Sequence, residues 1–195
     1  MILSNTEIFK ALDEKRLIIT PEPKPRYPSI KGEHCPYDTC SIDLTLGDTI
    51  HVPSTSNITI DLMQSAPVAE TIRRNSQAHE ISALTPFRLM PGTFVLANTT
   101  EEVELPLLSD PDKSLAARIE GKSSRARFGL LIHFTAPTVH AGFKGTLTLE
   151  MINLSPFPFL LTPGMAIAQL IVEDVRGVPK RNDSQFQNQT TAPGV

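Results

Sequence analysis

The sequence lacks tryptophan and contains only two tyrosines and two cysteines among its 195 residues. Cys35 and Cys40 have no second pair of cysteines elsewhere, whereas a structural zinc site usually needs three or four ligands. A ligand cluster of both thiols with His34 is the alternative to two free loop thiols. The sequence favours the free thiols, which are typical of a protein kept in a reducing compartment.

A strong basic excess and a long apolar run are also missing. The formal net charge is −3, which excludes the usual electrostatics of a general nucleic-acid binder. No apolar run approaches the ~18 residues of a membrane span. The N-terminus is amphipathic and charged, without the apolar core of a signal peptide. We therefore expect a soluble cytoplasmic protein with neither a membrane nor a nucleic-acid partner.

The composition that remains suits a packed β-rich domain. Hydrophobic residues make up 40% and charged residues 20%, so a core can form within a chain of ordinary domain length. Seventeen prolines against ten glycines indicate short strands joined by rigid turns. One helix is predicted over residues 4–15, because Ser4 and Glu7 form a capping box ahead of apolar residues at helical spacing.

Alternating apolar residues predict many short strands after that helix. The predicted strands are 17–19, 41–47 closed by a turn at Gly47, 49–52, 87–97 interrupted by a Pro-Gly turn, 101–105, 114–120, 130–135, 145–152, 157–161 and 166–172. This spacing predicts an all-β barrel or jelly roll and excludes a dinucleotide-binding α/β fold. Residues 53–80 are weakly patterned and suggest only a strand at 57–62 and a short helix at 69–75.

A basic, hydroxyl-rich turn is followed by a strand that ends in a carboxylate. The turn reads GKSSRAR from residue 121 to 127, and the strand ends at Glu150. Cations and hydroxyls suit phosphate oxygens, and a carboxylate can move protons, so the pair predicts a site for a polyanionic substrate that is hydrolysed. The alternative interpretation is an ordinary solvated Glu150, with Ser123 bonded within its turn and Arg127 in a surface ion pair.

The segment GKSSRARFG at 121–129 resembles the dCTP deaminase branch of the dUTPase superfamily. Similar segments lie at 2–19, 41–47, 133–136, 142–145, 147–150, 163–170 and 183–189, and residues 53–80 lie outside the resemblance. The resemblance implies a dUTPase-like β-clip fold, a distorted jelly-roll barrel. It also implies a single deaminase domain over 1–175, a C-terminal arm over 176–195 that closes on the nucleotide, and a homotrimer with sites between subunits.

The activity implied is hydrolytic deamination of dCTP to dUTP and ammonia in pyrimidine deoxynucleotide metabolism. The resemblance implies Mg²⁺ bound through the triphosphate, no zinc and no direct protein ligand to a metal. The H-x-E…P-C-x-x-C pattern of zinc deaminases is absent from the sequence, which agrees with a zinc-free reaction. The family's segment at 133–136 can also change conformation when dTTP binds, so dTTP is a candidate feedback inhibitor.

The resemblance assigns catalytic roles to four residues. Glu150 matches the general acid/base, and Ser123 and Arg127 match the residues that hold the water and stabilise developing charge. The Ala136 carbonyl matches a further contact to the water. The nucleotide-binding residues implied are Lys122 and Ser124 for the phosphates, His140 and Phe143 near the sugar, and Gln169, Phe186 and Gln189 as further contacts.

Three positions depart from the family pattern. His140 stands where superfamily members commonly have an Asp that contacts the deoxyribose 3′-hydroxyl and, in dUTP-cleaving members, helps to activate water. Phe186 stands where the arm usually has Tyr, and Gln185 where Lys is common. A dUTP diphosphatase, or a bifunctional enzyme that gives dUMP, is therefore the alternative activity. A catalytically weak nucleotide-binding regulatory homologue is the alternative from another class.

Overall fold

The computed structural model describes residues 1–30, 32–54, 59–61, 68–182 and 186–194. Three helices occur in these ranges: α1 (Asn5–Asp13), α2 (Val68–Arg74) and α3 (Ser123–Ala126). The strands are β1 (Ile18–Thr20), β2 (Ile42–Pro53), β3 (Ser76–Glu80), β4 (Phe87–Leu89), β5 (Phe94–Glu104), β6 (Leu115–Gly121), β7 (Leu130–Leu131), β8 (Thr138–Val139), β9 (Lys144–Asn153), β10 (Phe159–Leu161) and β11 (Ala166–Asp174).

Nine of these strands form one curled sheet. Seven follow the order β7-β9-β5-β2-β11-β6-β8, while β1 pairs with β5 and β3 pairs with β2. β4 and β10 form a separate two-stranded sheet. All strand pairs are antiparallel, and the side chains on the concave faces of the central strands form the core, including Leu44, Leu149 and Leu170. The prediction of a mostly-β fold with an N-terminal helix is confirmed.

Helix α1 begins where the capping signal predicts. The Ser4 hydroxyl oxygen accepts a hydrogen bond from the backbone N–H of Glu7 at 3.4 Å. Ile8, Phe9 and Ala11 are buried on the face that meets the sheet, so packing fixes the helix more than its intrinsic propensity does.

The turn predicted at Gly47 is wrong, because β2 runs unbroken through that residue. A Cβ on Gly47 would lie 2.9 Å from the backbone oxygen of Asn98, so β5 crosses this position too closely for any side chain. The pairing of β2 with β5 also shifts register between Leu46 and Ile50. Glycine at this position therefore permits a close approach between strands rather than a chain reversal.

The two faces of β2 are both covered. Ile42, Leu44 and Leu46 are fully buried, as the alternation predicts. Ser41 and Asp43, which lie on the polar side of the alternation, are also buried. Gln169 on the neighbouring strand β11 lies opposite Asp43, and its side-chain amide contacts both polar side chains.

Several smaller predictions differ from the structure. The strand predicted at 130–135 ends at residue 131, and the chain then loops to β8, which was not predicted. The helix at 69–75 is confirmed as α2, and the polar strand β3 that follows was missed. Half of the predicted strand at 57–62 lies outside the described residues, and its described part, residues 59–61, is not a strand. In the ranges that the structure describes, no helix is long and apolar enough to cross a membrane.

Candidate active site

A cavity of about 700 Å³ lies against strand β9. Its walls come from β9, from the loop between β7 and β8, from the turn after β8, from α2 and from the C-terminal arm, residues 176–195. Six of the predicted site residues line it: Ala136, His140, Phe143, Glu150, Phe186 and Gln189. The other five, Lys122, Ser123, Ser124, Arg127 and Gln169, do not.

Glu150 faces the cavity because of the alternation of β9. Leu149 and Met151 point to the opposite face and are fully buried in the core, which leaves Glu150 on the cavity side with its side chain 32% exposed. The backbone N–H of Phe134 donates a long hydrogen bond of 3.4 Å to Oε2 of Glu150. Within the described part of the chain, the carboxylate is thus held by a single weak hydrogen bond and keeps acceptor capacity for a water molecule or a ligand.

His133 lies beside Glu150 and was not among the residues predicted for the site. Its Nδ1 lies 3.9 Å from Oε2 of Glu150, too far for a hydrogen bond, and its side chain is only 10% exposed. Among the described residues, neither ring nitrogen of His133 has a hydrogen-bond partner. The sequence signal was the position of His133 three residues before Ala136, within a segment already matched to the family.

The turn after β8 presents His140 to the cavity. The backbone N–H of Phe143 donates to the His140 carbonyl at 3.1 Å, and Gly142 adopts a φ of +90°. A Cβ on Gly142 would meet Leu107 at 3.0 Å, so glycine satisfies both the backbone conformation and the packing. Phe143 packs partly on the core, and His140 is exposed to solvent where it lines the cavity.

A charged group lies at the start of β9, six residues from Glu150. The ammonium of Lys144 lies 3.1 Å from a carboxylate oxygen of Glu104 and 3.6 Å from one of Glu102. The hydrogen bond that Lys144 donates to the Glu104 carboxylate raises the pKa of Lys144 above its ordinary value. This end of the cavity therefore carries an ion pair rather than an isolated cation.

Residues 188–192 of the C-terminal arm lie along the start of β9, although the polar composition of the arm would leave it disordered alone. Gln189 forms a parallel bridge with Gly145, accepts from the Thr146 N–H at 2.9 Å, and donates from its side-chain amide to the Thr146 carbonyl at 2.7 Å. Gln187 donates to the Gly142 carbonyl at 2.9 Å. Oε1 of Gln189 is buried with no partner in the described part of the chain. Gln185 lies outside the described residues.

A second polar cluster surrounds Asp43 on β2, away from the cavity. The carboxylate of Asp43 forms an ion pair with Lys122 and accepts from the Gln169 amide at 3.3 Å. The Gln169 amide also lies 3.2 Å from the Ser41 hydroxyl oxygen, and His34 Nε2 lies 3.4 Å from Asp43. Asp43 was not predicted as a site residue; its only signal was a carboxylate on the polar face of a strand.

Helix α3 carries the remaining predicted residues on an exposed surface. Ser123, Ser124 and Arg127 are all exposed, and Lys122 precedes them as the N-cap residue without a side-chain capping bond. Within one chain, the predicted catalytic set is therefore divided. Glu150 and Ala136 share the cavity, and Ser123 and Arg127 lie outside it.

The cysteines do not combine with His34. Cys35 lies 3.5 Å from the carbonyl oxygens of Pro25 and Tyr37, and Cys40 is exposed; both are free thiols. Over the described ranges, no group of three or more His, Cys, Asp or Glu side chains is arranged to hold a metal ion.

Comparison with known proteins gives consistent matches. A family model described as dCTP deaminase-like matches residues 2–175. A dCTP deaminase, dUMP-forming, of Dictyoglomus thermophilum is 37% identical over 171 residues, which cover 87% of this chain and 78% of the relative. A dCTP deaminase of a Marinomonas species is 33% identical and covers 100% of this chain and 96% of the relative.

Among solved structures, the 2′-deoxycytidine 5′-triphosphate deaminase of Agrobacterium tumefaciens shares the fold, with a TM-score of 0.61 at 19% sequence identity. The match covers 88% of this chain but only 48% of that chain, so this chain spans about half of its length.

Proposed function

The chain belongs to the dCTP deaminase-like family, and on that premise we propose that it hydrolyses dCTP to dUTP and ammonia. The observation that carries the proposal is Glu150, a carboxylate held by one weak bond on the wall of a 700 Å³ cavity. Relatives more than 30% identical over most of this chain are named dCTP deaminases, which supports the same activity. The substrate is the Mg²⁺ complex of dCTP, with the ion bound by the triphosphate.

The reaction needs a water molecule activated for attack on C4 of cytosine. Glu150 takes a proton from this water as the water oxygen bonds to C4, and passes that proton to the ring nitrogen N3. It then moves the remaining proton of the new C4 hydroxyl to the amino group, so that the C4–N4 bond breaks, ammonia leaves and the C4 carbonyl of uracil forms. Ala136 lines the same cavity, and its carbonyl oxygen can accept a hydrogen bond from the other O–H group of the water. Phe143 and Phe186 supply apolar surface for the base and sugar, and His140 can donate a hydrogen bond to the sugar.

We propose that the site is completed between subunits of a homotrimer. Ser123 and Arg127 are exposed on α3 and lie outside the cavity that holds Glu150, so a neighbouring copy is needed to bring these groups together. There Ser123 would hold the water and Arg127 would stabilise developing charge. Lys122 and Ser124 would contact the phosphates, Gln169 would be a further contact to the nucleotide, and Gln189 would close the site with the arm.

Subunit mixing tests the shared site. Ser123→Ala and Glu150→Gln proteins should each be inactive, and hybrid trimers formed by unfolding and refolding them together should regain deamination. In such a hybrid, a site can contain both wild-type residues only if it takes Ser123 from one chain and Glu150 from another. Sedimentation must also report a trimer. A monomer, or inactive hybrids, would contradict the shared site.

The second candidate activity is the formation of dUMP. The relative from Dictyoglomus thermophilum is named dUMP-forming, which favours it. His140 argues against it, because an imidazole lacks the fixed negative charge of the carboxylate that superfamily members commonly use there. Ammonia and pyrophosphate measured in parallel from dCTP and dUTP separate the two: a deaminase releases only ammonia, and a bifunctional enzyme releases both. Tight nucleotide binding without either product would instead support a regulatory homologue.

We also propose that dTTP inhibits the enzyme by feedback and that the protein is cytoplasmic. The N–H of Phe134 and the ring of His133 border the Glu150 carboxylate, so a shift of this segment would change the space available to the attacking water. Saturating dTTP should lower the rate at subsaturating dCTP. Unchanged rates would contradict the inhibition, and fractionation of cells tests the location.

A further inference from the structure

We propose that Asp43 is a positioning residue for the phosphate side of the nucleotide site, acting through Lys122 and Gln169; this inference rests on the proposed function. Both of those residues are expected to contact the nucleotide, and both are bound to the same buried carboxylate. Asp43 is 6% exposed and therefore cannot itself reach a ligand in solvent.

The side chains around Asp43 compensate the charge of its buried carboxylate. A buried carboxylate is costly unless its charge is compensated and its oxygens accept hydrogen bonds. Lys122 supplies the compensating charge, and the Gln169 amide and the His34 ring lie at 3.3 Å and 3.4 Å. Asp43 thus holds donors from three separate segments of the chain at one point.

The ion pair also fixes the start of α3. Lys122 is the N-cap residue of this four-residue helix, which has no buried residue of its own and no side-chain cap. The bond to Asp43 therefore ties the helix that carries Ser123 and Ser124 to the central strand β2. An ammonium has three N–H donors, so Lys122 can hold Asp43 and still donate to phosphate oxygens.

The consequence is preorganisation of the phosphate contacts, which affects binding more than chemistry. Asp43→Asn keeps the side-chain volume and removes the charge that holds Lys122. We expect the KM for dCTP to rise about tenfold, the scale of one lost charged hydrogen bond, while kcat stays within about threefold. An unchanged or lower KM would overturn the proposal, because Asp43 would then only reduce the positive charge available to the substrate.

Glu101 provides a matched control. It is also a buried carboxylate, 4% exposed, and it accepts hydrogen bonds from Thr45 on the same polar face of β2. It contacts none of the proposed nucleotide-binding residues in the described hydrogen bonds. Both Glu101→Gln and Asp43→Asn should change the thermal stability, but only Asp43→Asn should change the KM for dCTP. Equal KM effects in the two variants would show that Asp43 acts only through general stability.

A double-mutant cycle separates positioning from a structural role. If Asp43 acts mainly through Lys122, adding Asp43→Asn to Lys122→Gln should raise KM by clearly less than it does in the wild-type background, because only the contact to Gln169 then remains to be lost. The double variant removes both charges, so it leaves no buried charge unpaired and remains informative where Asp43→Asn alone is unstable. An increase as large as that in the wild-type background would overturn the proposal. No ammonia from wild-type protein would refute the proposed function instead, and this outcome is distinct from an active wild type with an unaltered Asp43→Asn.

Discussion

Replacement of Glu150 by Gln is the perturbation that tests the proposed chemistry most directly. Gln has nearly the same shape but cannot take a proton from water. The carboxylate receives a single 3.4 Å bond, from the Phe134 N–H, and its side chain is one-third exposed. Since so little of the fold depends on the charge, the free energy of unfolding should change by no more than about 0.5 kcal/mol.

The expected loss of activity is much larger. General acid–base catalysis contributes about 10²–10⁴-fold to the rate, which corresponds to about 3–5 kcal/mol of transition-state stabilisation. Glu150→Gln should therefore lower kcat for ammonia release from dCTP by at least about a hundredfold. Binding of dCTP, measured by calorimetry, should remain within about threefold, because the residue acts mainly in the transition state.

Glu104 offers a matched control for this experiment. Glu104 also lines the cavity, and its side chain is 31% exposed, almost as much as that of Glu150. It forms an ion pair with Lys144, which lies about 20 Å from Glu150 along β9. Glu104→Gln should keep most of the activity. The reasoning would be refuted if Glu150→Gln retained more than about a tenth of the wild-type kcat, or if both variants lost activity equally.

Three further outcomes are expected. His140→Asp adds a fixed carboxylate at the turn after β8 and should raise pyrophosphate release from dUTP about tenfold; an unchanged rate would contradict the role given to this position. Gly145→Ala would bring a methyl group within 2.8 Å of the Gln189 carbonyl oxygen, so the arm should be displaced and cleaved faster by trypsin. Gly92→Ala, also at positive φ but in open space, should not have this effect. Burial raises the pKa of Glu101 above its unfolded value of about 4.3. The contribution of Glu101 to the free energy of unfolding is complete below that pH and is lost as pH rises through the folded pKa. Gln does not titrate, so the Glu101→Gln protein should become more stable relative to wild type over that pH interval. Urea denaturation at a series of pH values measures this difference. Parallel pH profiles for the two proteins would contradict this.

Local sequence patterns were sufficient where one face of an element meets the core. The alternation over 145–152 predicted β9 almost to its ends, and with it the side of the sheet to which Glu150 points. The capping residues likewise predicted α1. In these segments the signal is short-range, because burial alternates with the period of the element itself.

Contacts between distant segments could not be read in the same way. Gly47 was predicted as a turn because nothing local reveals that Asn98, fifty-one residues later, passes against it. Asp43 was not predicted as a site residue, because its partner Lys122 lies seventy-nine residues away. The same limit applies to the candidate site. The family motifs name its residues, but only the folded chain separates those in the cavity from those on α3.

The arm shows how long-range pairing can order a polar segment. Most of its described bonds to β9 use backbone groups or the Gln189 amide, so its polar composition is no obstacle to pairing. The two side-chain bonds of Gln189, to the Thr146 carbonyl and the Thr148 hydroxyl, fix the register. Residues 186–188 form a turn in which the Gln189 N–H donates to the Phe186 carbonyl at 3.4 Å, so a shift of Gln189 along β9 would carry Phe186 with it. Gln189 therefore determines which arm side chains face the nucleotide, even though its amide is already bonded to β9.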